Sequence, residues 1–322
     1  MVLLLFGTLF GCMAFGVPIV FSMATAGLTV LLLVGGVDML PIGPQRMIAG
    51  LDSTPLLAIP FFFLAGELMN AGGITRRLIR LSSTLVGHVR GGLAYVVIVT
   101  NVLMAGISGS AAADAAATGS VLIPAMKKEG YSGEFAAAVT AAAATIGPIV
   151  PPSIPMIIFG ITAEVSIGRL FLAGVLPGLL MGLGLMAVCY VVCIRRGYPA
   201  SPRASLREFF RALGDAGFAL VMPVVILGGI VGGIVTPTEA GAIAVAYALV
   251  VGIFVYRELR WRDLGRIFRE TSVNVGTVMI ILAAGSLFGW ALSSMGVGPA
   301  LTRFFLSVSS EPWAIYLMIN LF

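Results

Sequence analysis

The sequence predicts an all-α polytopic membrane protein with inverted-repeat topology, a re-entrant helical hairpin and a broken helix. Three observations lead there. Of 322 residues, 59% are apolar and only 10% charged, with a mean hydropathy of +1.08, whereas a soluble chain carries roughly a quarter of its residues as charges. Apolar runs approaching the length of about 20 residues that crosses a hydrocarbon core follow one another along the chain. The cations are also gathered, sixteen of nineteen falling in four clusters. These are Arg76, Arg77, Arg80 and Arg90; Lys127 and Lys128; Arg195, Arg196, Arg203, Arg207 and Arg211; and Arg257, Arg260, Arg262, Arg266 and Arg269. The net charge of +5 would suit nucleic acid in a soluble protein, but basic clusters between apolar spans are orientation signals instead.

Basic short loops stay in the cytoplasm, so the chain threads with every cluster inside and the lone Arg46, Arg169 and Arg303 outside. The expected spans are 2–15, 17–35, 55–69, 135–161, 170–194, 218–233, 239–256 and 273–292, with the amino terminus periplasmic. The opening MVLLLFGTLFG lacks a basic n-region and a small-residue cleavage site, so it reads as a retained span. Cys12, Cys189 and Cys193 lie in apolar segments at no zinc or disulfide spacing and read as packing residues. The stretches 201–214 and 258–270 carry Arg and Glu at helical spacing with Leu, Ile or Phe between them. They predict two amphipathic helices on the cytoplasmic surface, either interfacial anchors or a frame for a moving part.

The stretch between Arg90 and Lys127 is basic at both ends and cannot cross once. It predicts a re-entrant hairpin over about 91–127, with arms 92–106 and 111–125 of about 22 Å each and a tip at Ile107-Ser108-Gly109-Ser110. Lipid cannot satisfy free N–H and C=O groups, so irregular backbone at that depth must be buried in protein or line a polar cavity. The next span, about 135–161, has Gly147, Pro148, Pro151 and Pro152 in its middle, which breaks the helix. Two broken elements are thus expected at one depth. Hydroxyls of Ser108, Ser110 and Thr145 with the carbonyls of Gly147 and Val150 make the hard-oxygen set an alkali cation needs; small residues that merely allow tight packing are the plainer alternative.

The helix after Ser110 turns its positive end toward the same point, which favours an anion. Gly109 at the tip, Ser153 after the double proline, and Asp114 are the candidates on the substrate side. An intramembrane acid is costly; Asp114 is either functional or a helix-start acid satisfying free N–H groups. Glu67 and Glu239 lie nearer span ends and read as capping or scaffold acids. His88, the one histidine, falls in a cytoplasmic stretch and cannot form a metal cluster alone. The hairpin serines have no histidine or lysine at membrane depth to activate them, so hydrolytic chemistry is not expected.

A modest internal repeat pairs 62–74 with 285–297, Gly66 falling on Gly289 and Gly73 on Gly296 at the same separation. A weaker pairing sets Ala26-Gly27 on Ala240-Gly241. In the threading the paired spans run in opposite directions, the inverted topology of many secondary transporters. Residues 1–200 then form a first repeat and 201–322 a second, incomplete one that stops as a second hairpin begins at Trp313, so the sequence reads as truncated.

The hairpin run Ser108-Gly-Ser110-Ala-Ala-Ala-Asp114-Ala-Ala-Ala-Thr118-Gly-Ser120-Val-Leu-Ile-Pro124 and the break Gly147-Pro-Ile-Val-Pro-Pro-Ser153-Ile-Pro155 closely resemble the large membrane subunit of the tripartite ATP-independent periplasmic (TRAP) transporters, the DctM family. Phe61-Phe-Phe-Leu-Ala-Gly66-Glu-Leu-Met69, Phe171-Leu-Ala-Gly-Val-Leu-Pro-Gly178 and Gly233-Ile-Val-Thr-Pro-Thr-Glu239-Ala-Gly241 are similar to the same family. The resemblance implies an elevator-type permease of the bacterial inner membrane that imports C4-dicarboxylates, sialic acids or related organic anions, driven by sodium. It implies no cofactor besides that coupling ion. It also implies two protein partners, a periplasmic substrate-binding protein and a small four-helix membrane subunit, and no nucleic acid. A stand-alone sodium-coupled dicarboxylate carrier or a sodium/proton antiporter would share the hairpins and broken helices. A partner requirement separates them.

Overall fold

The computed structural model describes residues 1–321, which are helical with no strand among them; Phe322, the last residue of the expected second hairpin arm, lies outside the described residues. In chain order the helices are α1 (Val2–Ala14), α2 (Ile19–Gly35), α3 (Ile42–Ala49), α4 (Ala58–Ala71, entered through a 3-10 turn at Thr54–Leu57), α5 (Ile74–Val86), α6 (Gly92–Ser108), α7 (Ala111–Lys128), α8 (Gly133–Ala144), α9 (Ile154–Thr162), α10 (Ile167–Arg196), α11 (Leu206–Val231), α12 (Pro237–Val250, leaving through a π turn at Val251–Val255), α13 (Trp261–Ser294), α14 (Val297–Val308) and α15 (Pro312–Leu321). Among the described residues, five segments are long and apolar enough to cross a membrane: Thr54–Ala71, Ile167–Arg196, Leu206–Val231, Pro237–Val255 and Trp261–Ser294. The described residues fall into two compact units, one of residues 54–275 and one of residues 1–53 with those from 276 onward.

The unit of residues 1–53 and 276 onward is held by Leu5, Ala26, Val30 and Ala291, all buried, with Leu9, Phe288 and Trp290 packed around them. Gly27 admits the Leu287 side chain, which a methyl group there would meet at 2.8 Å. Arg46, itself exposed, stacks over the Trp290 ring at 5.3 Å, a cation–π contact at the end of an otherwise apolar face.

The unit of residues 54–275 contains the hairpin and the broken helix. Its core is the set Ala94, Val97, Ile98, Ala105, Leu122, Met126, Val139, Ala143 and Ile146, joined by Cys189 and Cys193 from α10. Both cysteines are reduced packing residues, as their apolar context predicts, and Cys12 is a free thiol as well. The hairpin is seated against three neighbours through glycines. A methyl group on Gly66 of α4 would stand 3.3 Å from the Ser108 Cα, one on Gly106 of α6 3.0 Å from Pro223 of α11, and one on Gly182 of α10 3.1 Å from Val102. Such small residues let helices approach where lipid supplies no hydrophobic drive between them.

Two elements differ from the sequence expectation. The polar stretches 201–214 and 258–270 are not separate surface helices, since each runs unbroken into the following span as the first turns of α11 and α13. Neither a proline nor a left-handed glycine stands between the polar turns and the apolar run, so nothing stops the helix. Helix α5 was not anticipated from the basic run at Arg76. It starts after Gly73, which has φ +78°, buries Ile74, Leu78 and Leu81 and exposes Arg76 and Arg80. Arg77 fastens it, pairing with Glu258 at 2.7 Å and lying 3.8 Å over the Tyr256 ring.

Glu239, read as a capping or scaffold acid, closes a capping box on α12: its Oε2 accepts the Thr236 N–H at 2.7 Å while Thr236 Oγ1 accepts the Glu239 N–H at 3.3 Å. Thr236→Ala, which removes one half of this reciprocal cap, is expected to lower the melting temperature in detergent by a few degrees, whereas Glu239→Gln, which still accepts the Thr236 N–H, changes it by less.

Candidate functional site

The site is the meeting of the hairpin tip with the helix break. α6 ends at Ser108, and the chain reverses through Gly109 in the left-handed region at φ +58°. Glycine is needed here twice over, because a methyl group on Gly109 would also stand 2.5 Å from the Pro152 carbonyl oxygen. Ser110 then caps α7, its Oγ accepting the Ala113 N–H at 3.4 Å. On the other element, Ser153 caps α9, accepting the Met156 N–H at 3.2 Å and donating to the Pro148 carbonyl. The turns of the break, which contain a cis Pro151–Pro152 bond, are closed by Ile149 and Val150 N–H groups that both donate to the Ile146 carbonyl at 3.0 Å.

Asp114 stands at the junction and is 0% exposed. It does not serve as a helix-start acid for free N–H groups. Instead the Ser108 hydroxyl donates to its Oδ1 at 2.5 Å, and its Oδ2 has no hydrogen-bond partner among the described residues. Gly147 makes room for this oxygen, since a methyl group there would stand 2.6 Å from Oδ2 and 3.5 Å from the Ala111 amide nitrogen. A bare carboxylate oxygen, an α7 N-terminal amide and the backbone of the break therefore face one small space. Burying an unpaired carboxylate costs on the order of several kcal/mol, so a fold that keeps one there invites a compensating charge.

A buried polar ladder leads from this point along the hairpin. Thr118 Oγ1 donates to the Asp114 carbonyl at 2.6 Å, and Asn101 Nδ2 donates to Thr118 Oγ1 at 3.3 Å and to the Val97 carbonyl at 2.8 Å. Asn101 Oδ1 is buried without a hydrogen-bond partner among the described residues. The sequence reading passed over both residues. Their signal was present: Asn101 is two turns before Ser108, and Thr118 one turn after Asp114, on the faces the two arms turn toward each other.

The structure brings together Ser108, Gly109, Ser110, Asp114, Gly147 and Ser153. Ser153 uses its hydroxyl inside the break, as donor to Pro148 and acceptor from Met156. Val150 follows along the break with its side chain against Gly178 of α10. Thr145 is not brought in. Its side chain is exposed and donates to the Ala142 carbonyl at 2.7 Å, the local backbone bond that competes for any helical threonine.

Against this geometry the known proteins can be compared. The family described as "Tripartite ATP-independent periplasmic transporter, DctM component" matches residues 6–322. The chain belongs to the DctM family. It is 41% identical over 318 residues to a sialic acid TRAP transporter large permease protein of Vibrio cholerae, covering 98% of this chain and 74% of that protein. It is likewise 41% identical over 266 residues to a C4-dicarboxylate TRAP transporter large permease protein of Pseudomonas aeruginosa (83% and 62%). An isethionate TRAP transporter permease protein of Oleidesulfovibrio alaskensis is 41% identical over 319 residues (98% and 50%). As a DctM component the chain is a multi-pass protein of the bacterial inner membrane and a permease, not an enzyme.

The tip is sensitive to a single methyl group. Gly109→Ala, which meets both a left-handed φ and the Pro152 carbonyl, is expected to destabilise the fold by about 1–3 kcal/mol, and Gly147→Ala to push the Asp114 carboxylate aside. Gly184→Ala, in open space on α10, should be neutral or stabilising by up to about 1 kcal/mol. Thermal unfolding of the three variants in one detergent checks the ranking.

Proposed function

We propose that this chain is the permease of a sodium-coupled, binding-protein-dependent transporter that imports a small organic anion. The observation that carries the coupling is the unpartnered Oδ2 of the fully buried Asp114, facing the break at Gly147. In a water-poor interior a carboxylate in that state calls for a cation or a proton. Oxygen atoms of Ser108 and Ser110 and the carbonyls of Gly147 and Val150 supply the remaining hard ligands of a sodium ion, with Thr145 turned away. We assign Asp114 to the cation and not to the substrate, because two anions at this depth repel one another without water to screen them.

The substrate anion is taken by the positive end of α7, where the Ala111 amide faces the break, with Gly109 and the backbone around Ser153 completing the contact. Cation and anion then sit side by side at one hairpin tip and neutralise each other, so neither crosses readily alone. Relatives named for sialic acid, C4-dicarboxylates and isethionate support a small organic anion as the class. In this reading 1–200 and 201–322 are inverted repeats, and the hairpin with its broken helix moves as the carrying body of an elevator. A small membrane subunit braces the scaffold, and a periplasmic binding protein delivers the solute.

Uptake of labelled sialic acid and succinate into proteoliposomes holding the permease, its small subunit and its binding protein tests this. Uptake should require an inward sodium gradient and the binding protein, and Asp114→Asn should reduce it on the order of tenfold or more, the worth of one charged interaction. Uptake that a proton gradient drives without sodium would put a proton at Asp114. Uptake indifferent to the binding protein would mark a stand-alone carrier.

A further inference from the structure

Below the tip, the two arms of the hairpin are joined by a second polar contact. Asn101 on α6 and Thr118 on α7 are both 0% exposed, in an interior where a polar side chain without partners costs free energy. Each is first locked to the backbone of its own arm. Asn101 Nδ2 donates to the Val97 carbonyl at 2.8 Å, and Thr118 Oγ1 donates to the Asp114 carbonyl at 2.6 Å, each bond reaching four residues back along its helix. The second hydrogen of the same amide then crosses between the arms to Thr118 Oγ1 at 3.3 Å.

The residue type follows from that geometry. A hydroxyl has one hydrogen and can hold either its own helix or the neighbour, whereas an amide nitrogen has two and does both. The two bonds also fix which way the amide points, since the reverse orientation would set Oδ1 against the Val97 carbonyl. That oxygen is left without a hydrogen-bond partner among the described residues. An apolar pair of the same shape would therefore hold the arms together about as well, and what the polar pair adds is direction.

Direction is what the cation site needs. Asn101 and Ser108 are seven residues apart, two turns of α6, and Asp114 and Thr118 four residues apart, one turn of α7, so both cross-arm pairs lie on the facing surfaces of the arms. Ser108 donates to Asp114 Oδ1 at 2.5 Å, which leaves Oδ2 facing the break at Gly147. Apolar contacts between the arms are non-directional and tolerate a slide or roll of α7. The Asn101–Thr118 bond does not, and Thr118 in turn holds the carbonyl of Asp114 itself.

We propose that Asn101 is a positioning residue for the coupling cation: acting through Thr118, it holds the α7 backbone at Asp114 in register with Ser108 and so keeps Oδ2 aimed at the break. This role rests on the assignment of a cation to Asp114. The groups assigned to the anion, the Ala111 amide and Gly109, take no part in the pair.

Uptake into proteoliposomes holding the permease, its small subunit and its binding protein tests the role. In Asn101→Leu and in Thr118→Val, the sodium concentration at half-maximal uptake should rise about fivefold, as expected for the loss of one hydrogen bond. The substrate concentration at half-maximal uptake in saturating sodium should stay as in the wild type. The double variant should be no worse than either single one, because both break the same strut. Thr140→Val, which removes a buried hydroxyl bonded to its own helix at the Ala136 carbonyl, should leave the sodium requirement unchanged.

A lowered melting temperature with an unchanged sodium requirement in both single variants would mark a merely structural contact and overturn the proposal. Additive losses in the double variant, or a substrate requirement that rises in step with that for sodium, overturn it as well. Wild-type uptake driven by protons without sodium would instead remove the sodium reading alone. The same variants should then shift the proton concentration at half-maximal uptake by a similar factor, and no shift overturns the role of Asn101.

Discussion

A bilayer offers no hydrogen bonds, and this governs the molecule. Wherever the chain leaves helical pairing within the membrane, the freed N–H and C=O groups must find partners in protein. Two such places occur in the unit of residues 54–275, and they answer each other. The tip at Gly109 presses on the Pro152 carbonyl, Gly147 opens the space that Asp114 and the Ala111 amide face, and Ser110 and Ser153 each cap the helix that follows. Neither irregularity is tolerable alone, and together they make a compact polar island between helices.

The island explains the composition around it. Elements approach this closely only where a side chain is absent: Gly66 and Gly109 admit the backbone of Ser108 and Pro152, and Gly106, Gly147 and Gly178 admit the side chains of Pro223, Asp114 and Val150. The alanines of α7 and α8 continue that smoothness. Polarity is then added sparingly and along one line, from Ser108 through Asp114 and Thr118 to Asn101, each bonded to the next element of the ladder. Two acceptors on that line, Asp114 Oδ2 and Asn101 Oδ1, have no hydrogen-bond partner among the described residues, and the proposed cation is assigned to the first. The positive end of α7 lies a few ångströms away, so one tip presents both signs.

Much of this was readable from residue order because its causes are local. Basic residues at both ends of 91–127 argue against a single crossing, and the glycine and prolines of 147–152 cannot continue a helix; the turn between α6 and α7 at Gly109 and the interruption between α8 and α9 fall in those stretches. Helix α5 and the unbroken α11 and α13 were missed because helix continuation leaves a weaker mark than helix stopping. The direction of a hydroxyl is set by competition that spacing does not express: Thr145 takes its own Ala142 carbonyl, whereas Ser108 reaches Asp114 six residues on. Asn101 and Thr118 acquire meaning only once the two arms lie side by side. The free state of Asp114 Oδ2 depends on Gly147, thirty-three residues away, and sequence alone joins the two only through depth.

The measurement closest to the centre is hydrogen–deuterium exchange of the reconstituted protein in sodium against choline, followed over peptides covering 105–115 and 145–153. A cation held between the hairpin tip and the break ties both segments at once, so sodium should slow exchange in both together and leave α1 and α2 unchanged. Exchange that sodium leaves untouched, or slows in one segment only, would contradict a shared cation site at Asp114.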